Sequence, residues 1–148
     1  MFKLIAVGSD NSPRAQAAVE HAAGLAESCG ATLCIIVVHR LHPYARQSPC
    51  GVGVLTAGEW ESDVMTVEAH KEMLAPVASR FRRRGIDVEE RVLSGSPAAG
   101  LIRTAADAGA DVLVVGDRAT RSLFGGVDAV AVRTASMPVL VARTGTSD

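Results

Sequence analysis

The stretch VVGDRATRSLFGGVDAVAV, Val114 to Val132, decides how this chain is read. A β-branched apolar run ends on Gly116. The pair Gly125 and Gly126 then opens a run in which Val127, Val130, Ala131 and Thr134 share one helical face. A strand, a glycine-bearing turn and a helix N-terminus in succession can cradle a phosphate, because unpaired N–H groups and the helix dipole converge on the anion. The same glycines can equally serve as plain turns, where they relieve backbone strain.

Working outward, the same alternation recurs. KLIAVGS, Lys3 to Ser9, reads as a buried strand, and Ser12 followed by Pro13 is the signature of a capped helix start. Ala15, Ala18, Val19, Ala22, Ala26 and Cys29 then recur at helical spacing, and Gly30 supplies the stop. ATLCIIVV, Ala31 to Val38, is almost continuously apolar, as befits a strand covered on both faces. His42 to Gly58 carries prolines and glycines without periodicity and is expected to be an ill-ordered connection rather than a lid. Glu59 to Arg84 follows as a long helix with Val67, Leu74, Val77 and Phe81 on one face. Its terminal FRRRG is read as arginines complementing the negative helix end.

IDVEERVL, Ile86 to Leu93, alternates like a strand at a sheet edge. Ser96 and Pro97 repeat the cap-then-proline signature before an Ala98, Leu101, Ile102, Ala105 stripe. DVLVVG and MPVLVAR supply two further strands on either side of the helix expected near Gly126, and Pro138 falls at a strand start, where its missing donor does least harm. Five strands alternating with four helices predict an α/β fold, a doubly wound parallel sheet of Rossmann-like kind. In such sheets a ligand sits beyond the carboxyl ends of the strands, where the winding reverses.

The composition narrows the function. With 148 residues, 48% of them hydrophobic, the chain is expected to form a single domain over 1–148. A net charge of −1 provides no basic footprint for nucleic acid or anionic membrane, so neither is an expected partner. MFKLIAVGSD is too short and too soon acidic for a signal peptide, and the protein is expected to be cytoplasmic. Cys29, Cys34 and Cys50 cannot all pair and are read as reduced. His21, His39, His42 and His70 have no metal-ligand spacing, and no metal site is expected.

Taken together, AVGSDNSPRAQAAVEHA, SGSPAAGLI, ADVLVVGDR and SMPVLVAR resemble, in order, segments of the universal stress protein family. Asp10 stands on that family's acidic position, Asn11 stands where glycine is usual, and Ser96 replaces an acid. The resemblance implies strand order 3-2-1-4-5, with Asp10 and Gly116 facing one crevice and Val38 lining a base pocket. It also implies a phosphate motif, G-x2-G-x9-G-[ST], which this chain keeps only in part. Gly116 matches, but the second glycine falls on Ala119 and the direct count ends at Ala129 and Val130. Aligned from the closing strand instead, the last pair becomes Gly125 and Gly126, on a shortened loop.

Under that alignment the expected hydroxyl is missing at Gly126 and a carboxylate, Asp128, follows. A carboxylate about 5 Å from a phosphate costs on the order of 3 kcal/mol at an effective dielectric near 20, against about 0.3–1 returned by the helix terminus. Arg118, Arg121 and Arg133 are either compensating cations or solvated surface groups. Asp10 is either a ligand contact or a turn former.

The candidate crevice residues are therefore Asp10, Val38, Gly116, Arg118, Ala119, Gly125, Gly126, Val127 and Asp128. The expected function is a stress-response or regulatory protein with weak or absent ATP binding and no required cofactor. The alternative is a nucleotide switch carrying ATP or AMP with magnesium, and no nucleophile–base pair marks a metabolic enzyme. The resemblance also implies a homodimer through the fifth strand, at Val139, Leu140 and Val141, whose edge invites another strand. Other protein partners remain open at this point.

Overall fold

The computed structural model describes residues 1–40, 57–117 and 127–143, with backbone alone at 57–66, 128 and 129. In chain order the elements are β1 (Leu4–Ser9), α1 (Pro13–Cys29), β2 (Thr32–Arg40), α2 (Ala57–Arg83), β3 (Val88–Gly95), α3 (Pro97–Ala108), β4 (Val112–Gly116), α4 (Val127–Thr134) and β5 (Val139–Ala142). The strands form one parallel sheet, as the sequence predicted, in the order β3-β2-β1-β4-β5 that the family resemblance implied. The segment expected to be ill ordered lies mostly outside the described residues, and its last two positions, 57 and 58, open α2 instead.

Each central strand is buried on both faces. Ile5, Val7, Leu33, Ile35, Val37, Val112 and Val114 point into a layer closed by α1 and by Leu74 and Phe81 of α2. Ala6, Cys34, Ile36, Leu113 and Val115 point the other way, under Leu101 and Ala105 of α3 and Ala131 of α4. Burial pushes the Cys34 thiol up to about 11, so it is a protonated core group rather than a nucleophile. β3 has only partly buried or exposed residues, consistent with its edge position.

The caps of α1 follow the sequence, and that of α3 does so only in part. The Ser12 hydroxyl accepts the Ala15 N–H at 3.2 Å, and Gly30 closes α1 in the left-handed conformation at φ 66°. Ser96 occupies the corresponding position of α3, but its side chain makes no capping hydrogen bond. The arginines at the end of α2 do more than complement a helix end. Arg80 and Arg84 reach Glu20 at 2.7 and 3.2 Å, Arg84 reaches Glu27 at 2.6 Å, and Arg82 reaches Glu90 at 3.1 Å. These pairs tie α2 to α1 and to β3, though exposed pairs of this kind contribute only about 0–1 kcal/mol each.

At the opposite end of the sheet, the Asp111 carboxylate accepts the Lys3 and Leu4 N–H groups at 2.7 and 3.0 Å. It thereby satisfies donors at the start of β1 from the start of β4. Those two hydrogen bonds hold its carboxyl below the ordinary value of 3.8. A depressed carboxyl stabilises the fold above the unfolded-state value and loses that contribution as pH falls through the folded-state value. Asp111→Asn is therefore expected to lower the melting temperature near neutral pH, with the gap from the unaltered protein closing as pH falls below 3.8. Thermal unfolding followed by circular dichroism across that range is the check.

Candidate functional site

The winding reverses between β1 and β4, which are neighbours although two strands, β2 and β3, separate them in sequence. From β1 the chain leaves to the α1 face, and α4, the helix after β4, lies on the other. The two departures open a crevice of about 530 Å³ at the carboxyl ends of the strands. Its floor is set by close packing of α3. A Cβ on Gly8 of β1 would stand 2.6 Å from a Leu101 methyl, and one on Gly100 would stand 3.2 Å from Val38. Both glycines let α3 approach the sheet.

The β1–α1 turn is held by its own side chains. The Asp10 carboxylate accepts the Ser12 N–H at 2.9 Å, and the Ser9 hydroxyl accepts the Asn11 N–H at 3.0 Å. Asn11 has φ 63°, the left-handed region that asparagine tolerates better than most residues, which explains why it can stand where the family usually has glycine. Asp10 is thus a turn former, and it also borders the crevice.

Of the residues singled out in the sequence, Asp10, Val38, Gly116 and Val127 come together around this space. Val127 begins α4. Arg118, Ala119, Gly125 and Gly126 lie outside the described residues, and Asp128 is placed in α4 by its backbone only. The edge residues are where the strand order puts them, on β5, with Leu140 and Val141 at 43% and 40% exposure.

The sequence reading passed over five ionisable lining groups: Arg14 in the first turn of α1, His39 and Arg40 at the end of β2, His70 of α2, and Asp117 just after β4. The rings of His39 and His70 lie 5.4 Å apart. Asn11 Nδ2 sits 2.8 Å from His70 Nδ1, an arrangement in which the neutral imidazole accepts and carries its proton on Nε2. Burial, and then the neighbouring His39, push His70 below its ordinary value of 6.5, while Asp10 pulls it up. One signal for His70 was present: it falls on the same helical stripe as Val67, Leu74 and Phe81. Nothing local pairs it with His39. Among the described residues no cluster of three or more His, Cys, Asp or Glu is placed to hold a metal, and no helix is long and apolar enough to cross a membrane.

Comparison with known proteins places this geometry. Universal stress protein MJ0531 of Methanocaldococcus jannaschii is 28% identical over 149 residues, spanning 97% of this chain and 83% of that protein. A universal stress protein solved in complex with cAMP is 26% identical, with a TM-score of 0.71 over 97% of this chain and 98% of the other. The structure of the protein MJ0577 shares the fold at a TM-score of 0.82 over 99% of both chains, with 20% identity. The model of the universal stress protein family matches residues 1–143. A match of that extent, running through every described strand and helix, means that the chain belongs to the universal stress protein family.

Proposed function

We propose that this protein is a regulatory binder of adenine nucleotides, with low affinity for ATP, acting as a twofold homodimer in the response to stress. The observation that carries the reading is the convergence of Asp10, Val38, Gly116 and the start of α4 on one open crevice. At about 530 Å³ it falls in the range of small-molecule sites, roughly 300–1,000 Å³. Apolar Ile36, Val38 and Val115 offer surface to a base, and the first turns of α1, α3 and α4, through Arg14, Pro97 and Val127, border the same space. Helix starts favour negative charge. The cAMP complex of a relative supports a nucleotide of low charge.

The weak-ATP part rests on residues that a triphosphate needs and a monophosphate does not. Ala119 replaces a motif glycine, Gly126 lacks the hydroxyl, and Asp128 adds a carboxylate. Mg-ATP is accordingly expected to bind more weakly than about 100 μM, less than roughly 5.5 kcal/mol. AMP or cAMP is expected to bind at least as well as ATP. Isothermal titration calorimetry with the three ligands tests this, and low-micromolar affinity for Mg-ATP refutes it. Asp128→Ser is expected to strengthen ATP binding several-fold, and an unchanged affinity would assign the weakness to the shortened loop.

The dimer part is supported by the β5 edge. The Pro138 and Ala142 carbonyls accept the Leu113 and Asp117 N–H groups at 2.9 and 2.8 Å, so alternate residues of β5 turn their backbone groups toward β4. Val139 and Val141, on the opposite parity, turn theirs to the open side. A second copy related by a twofold axis can pair with that edge and cover Leu140 and Val141. Light scattering is expected to give a dimer mass at tens of micromolar. Val141→Pro, which removes an outward donor and spares the β4 ladder, is expected to give a folded monomer. A monomeric parent, or a folded Val141→Pro dimer, rules this interface out.

A further inference from the structure

Among the described residues bordering the crevice, Arg14 and Arg40 supply two cations and Asp10 and Asp117 two anions. These formal charges cancel. Among these same described residues the remaining titratable groups are His39 on β2 and His70 on α2, whose rings stand 5.4 Å apart. Two imidazolium ions at that separation repel each other, so the free crevice disfavours charging both. An anion between the helix starts removes that obstacle by adding the opposite charge.

The nucleotide reading above underlies the next step. We propose that the His39–His70 pair takes up a proton when an anionic nucleotide enters the crevice, so that binding and protonation are one coupled event. The proton comes from solvent or buffer and forms an N–H bond on an imidazole nitrogen. Asn11 can accommodate either state of His70. Its amide Nδ2 faces Nδ1 of the neutral ring at 2.8 Å, and a half-turn of the amide presents Oδ1 to a protonated Nδ1–H.

The other charged groups around the pair do not duplicate this role. Asp10, from the β1–α1 turn, favours the charged form of His70, whereas burial and His39 oppose it. Arg14 and Arg40 stay charged throughout the range in which imidazoles titrate. On α2 itself, Lys71 and Glu68 pair with each other at 3.2 Å. Asp117 follows β4 and borders the crevice as a carboxyl group rather than an imidazole.

The test uses cAMP, whose phosphodiester, unlike the terminal phosphate of AMP or ATP with a second pKa of about 6, holds one charge through this range. Calorimetric titration near pH 7 in two buffers of different ionisation enthalpy counts protons taken up per ligand bound. A positive fraction is expected. A ligand that raises the pair's affinity for a proton by about one pKa unit strengthens its own binding about tenfold between about pH 8 and about pH 5. The double variant His39→Gln, His70→Gln is expected to lose both the proton uptake and the pH slope, whatever its absolute affinity. The proton count on the unaltered protein decides the matter if that variant does not fold. Binding of cAMP without proton uptake, or the same slope in the folded double variant, overturns this inference and leaves the nucleotide reading standing. Absence of binding by every adenine nucleotide at either pH overturns both.

Discussion

Burial of β1, β2 and β4 on both faces is the constraint from which the remainder of this structure follows. Ile5 and Val7 need one helical layer, and Ala6 on the same strand needs another. At about 25 cal/mol per Å² of apolar surface removed from water, no other interaction among the described residues compares with that burial. The surface pairs joining Arg80 and Arg84 to Glu20 and Glu27 register α2 on α1 but add little by comparison. Two layers in turn require the chain to leave the sheet in both directions, and β1 and β4 are the neighbours from which it does so. The crevice is a consequence of covering the sheet.

The depth of that crevice is decided by small residues. Gly8 and Gly100 bring α3 against β1 and β2, so that Leu101 packs over Gly8 and Val38 under Gly100, both lining the crevice. A side chain at either glycine would push α3 outward, and protein interiors accommodate such insertions poorly. On the other wall, Asn11 in the left-handed region turns the chain sharply from β1 into α1 and holds His70 of α2. One residue therefore serves the turn and connects two elements at the rim.

The electrostatics of the site arise from that convergence rather than from any single element. Asp10 spends one oxygen on the Ser12 N–H and still borders the cavity, and Arg14 follows it at the start of α1. His39 and Arg40 are brought in by β2, and Asp117 comes from beyond β4. Among the described lining residues, two arginines and two aspartates accompany two imidazoles, the side-chain type whose ordinary titration range lies nearest neutrality.

Local sequence carried the fold a long way. The continuous apolar runs of β2 and β4 implied strands covered on both faces, Ser12-Pro13 marked the start of α1, and Gly30 marked its end. These signals are legible because they concern neighbouring residues and a fixed period. Family resemblance added the strand order and, through it, the meeting of Asp10 and Gly116. The His39–His70 pair, the attachment of Arg84 to Glu20 and Glu27, and the Gly8–Leu101 approach were not legible, since each joins residues far apart in the chain. Ser96 shows the converse limit: its sequence promised a hydroxyl cap, and the turn out of β3 leaves that bond unmade. By itself the sequence determined which segments are strands or helices and which faces are apolar, because periodicity and turn chemistry are local. Only the tertiary structure decided which charges share a crevice, because that depends on the order and register in which the strands align.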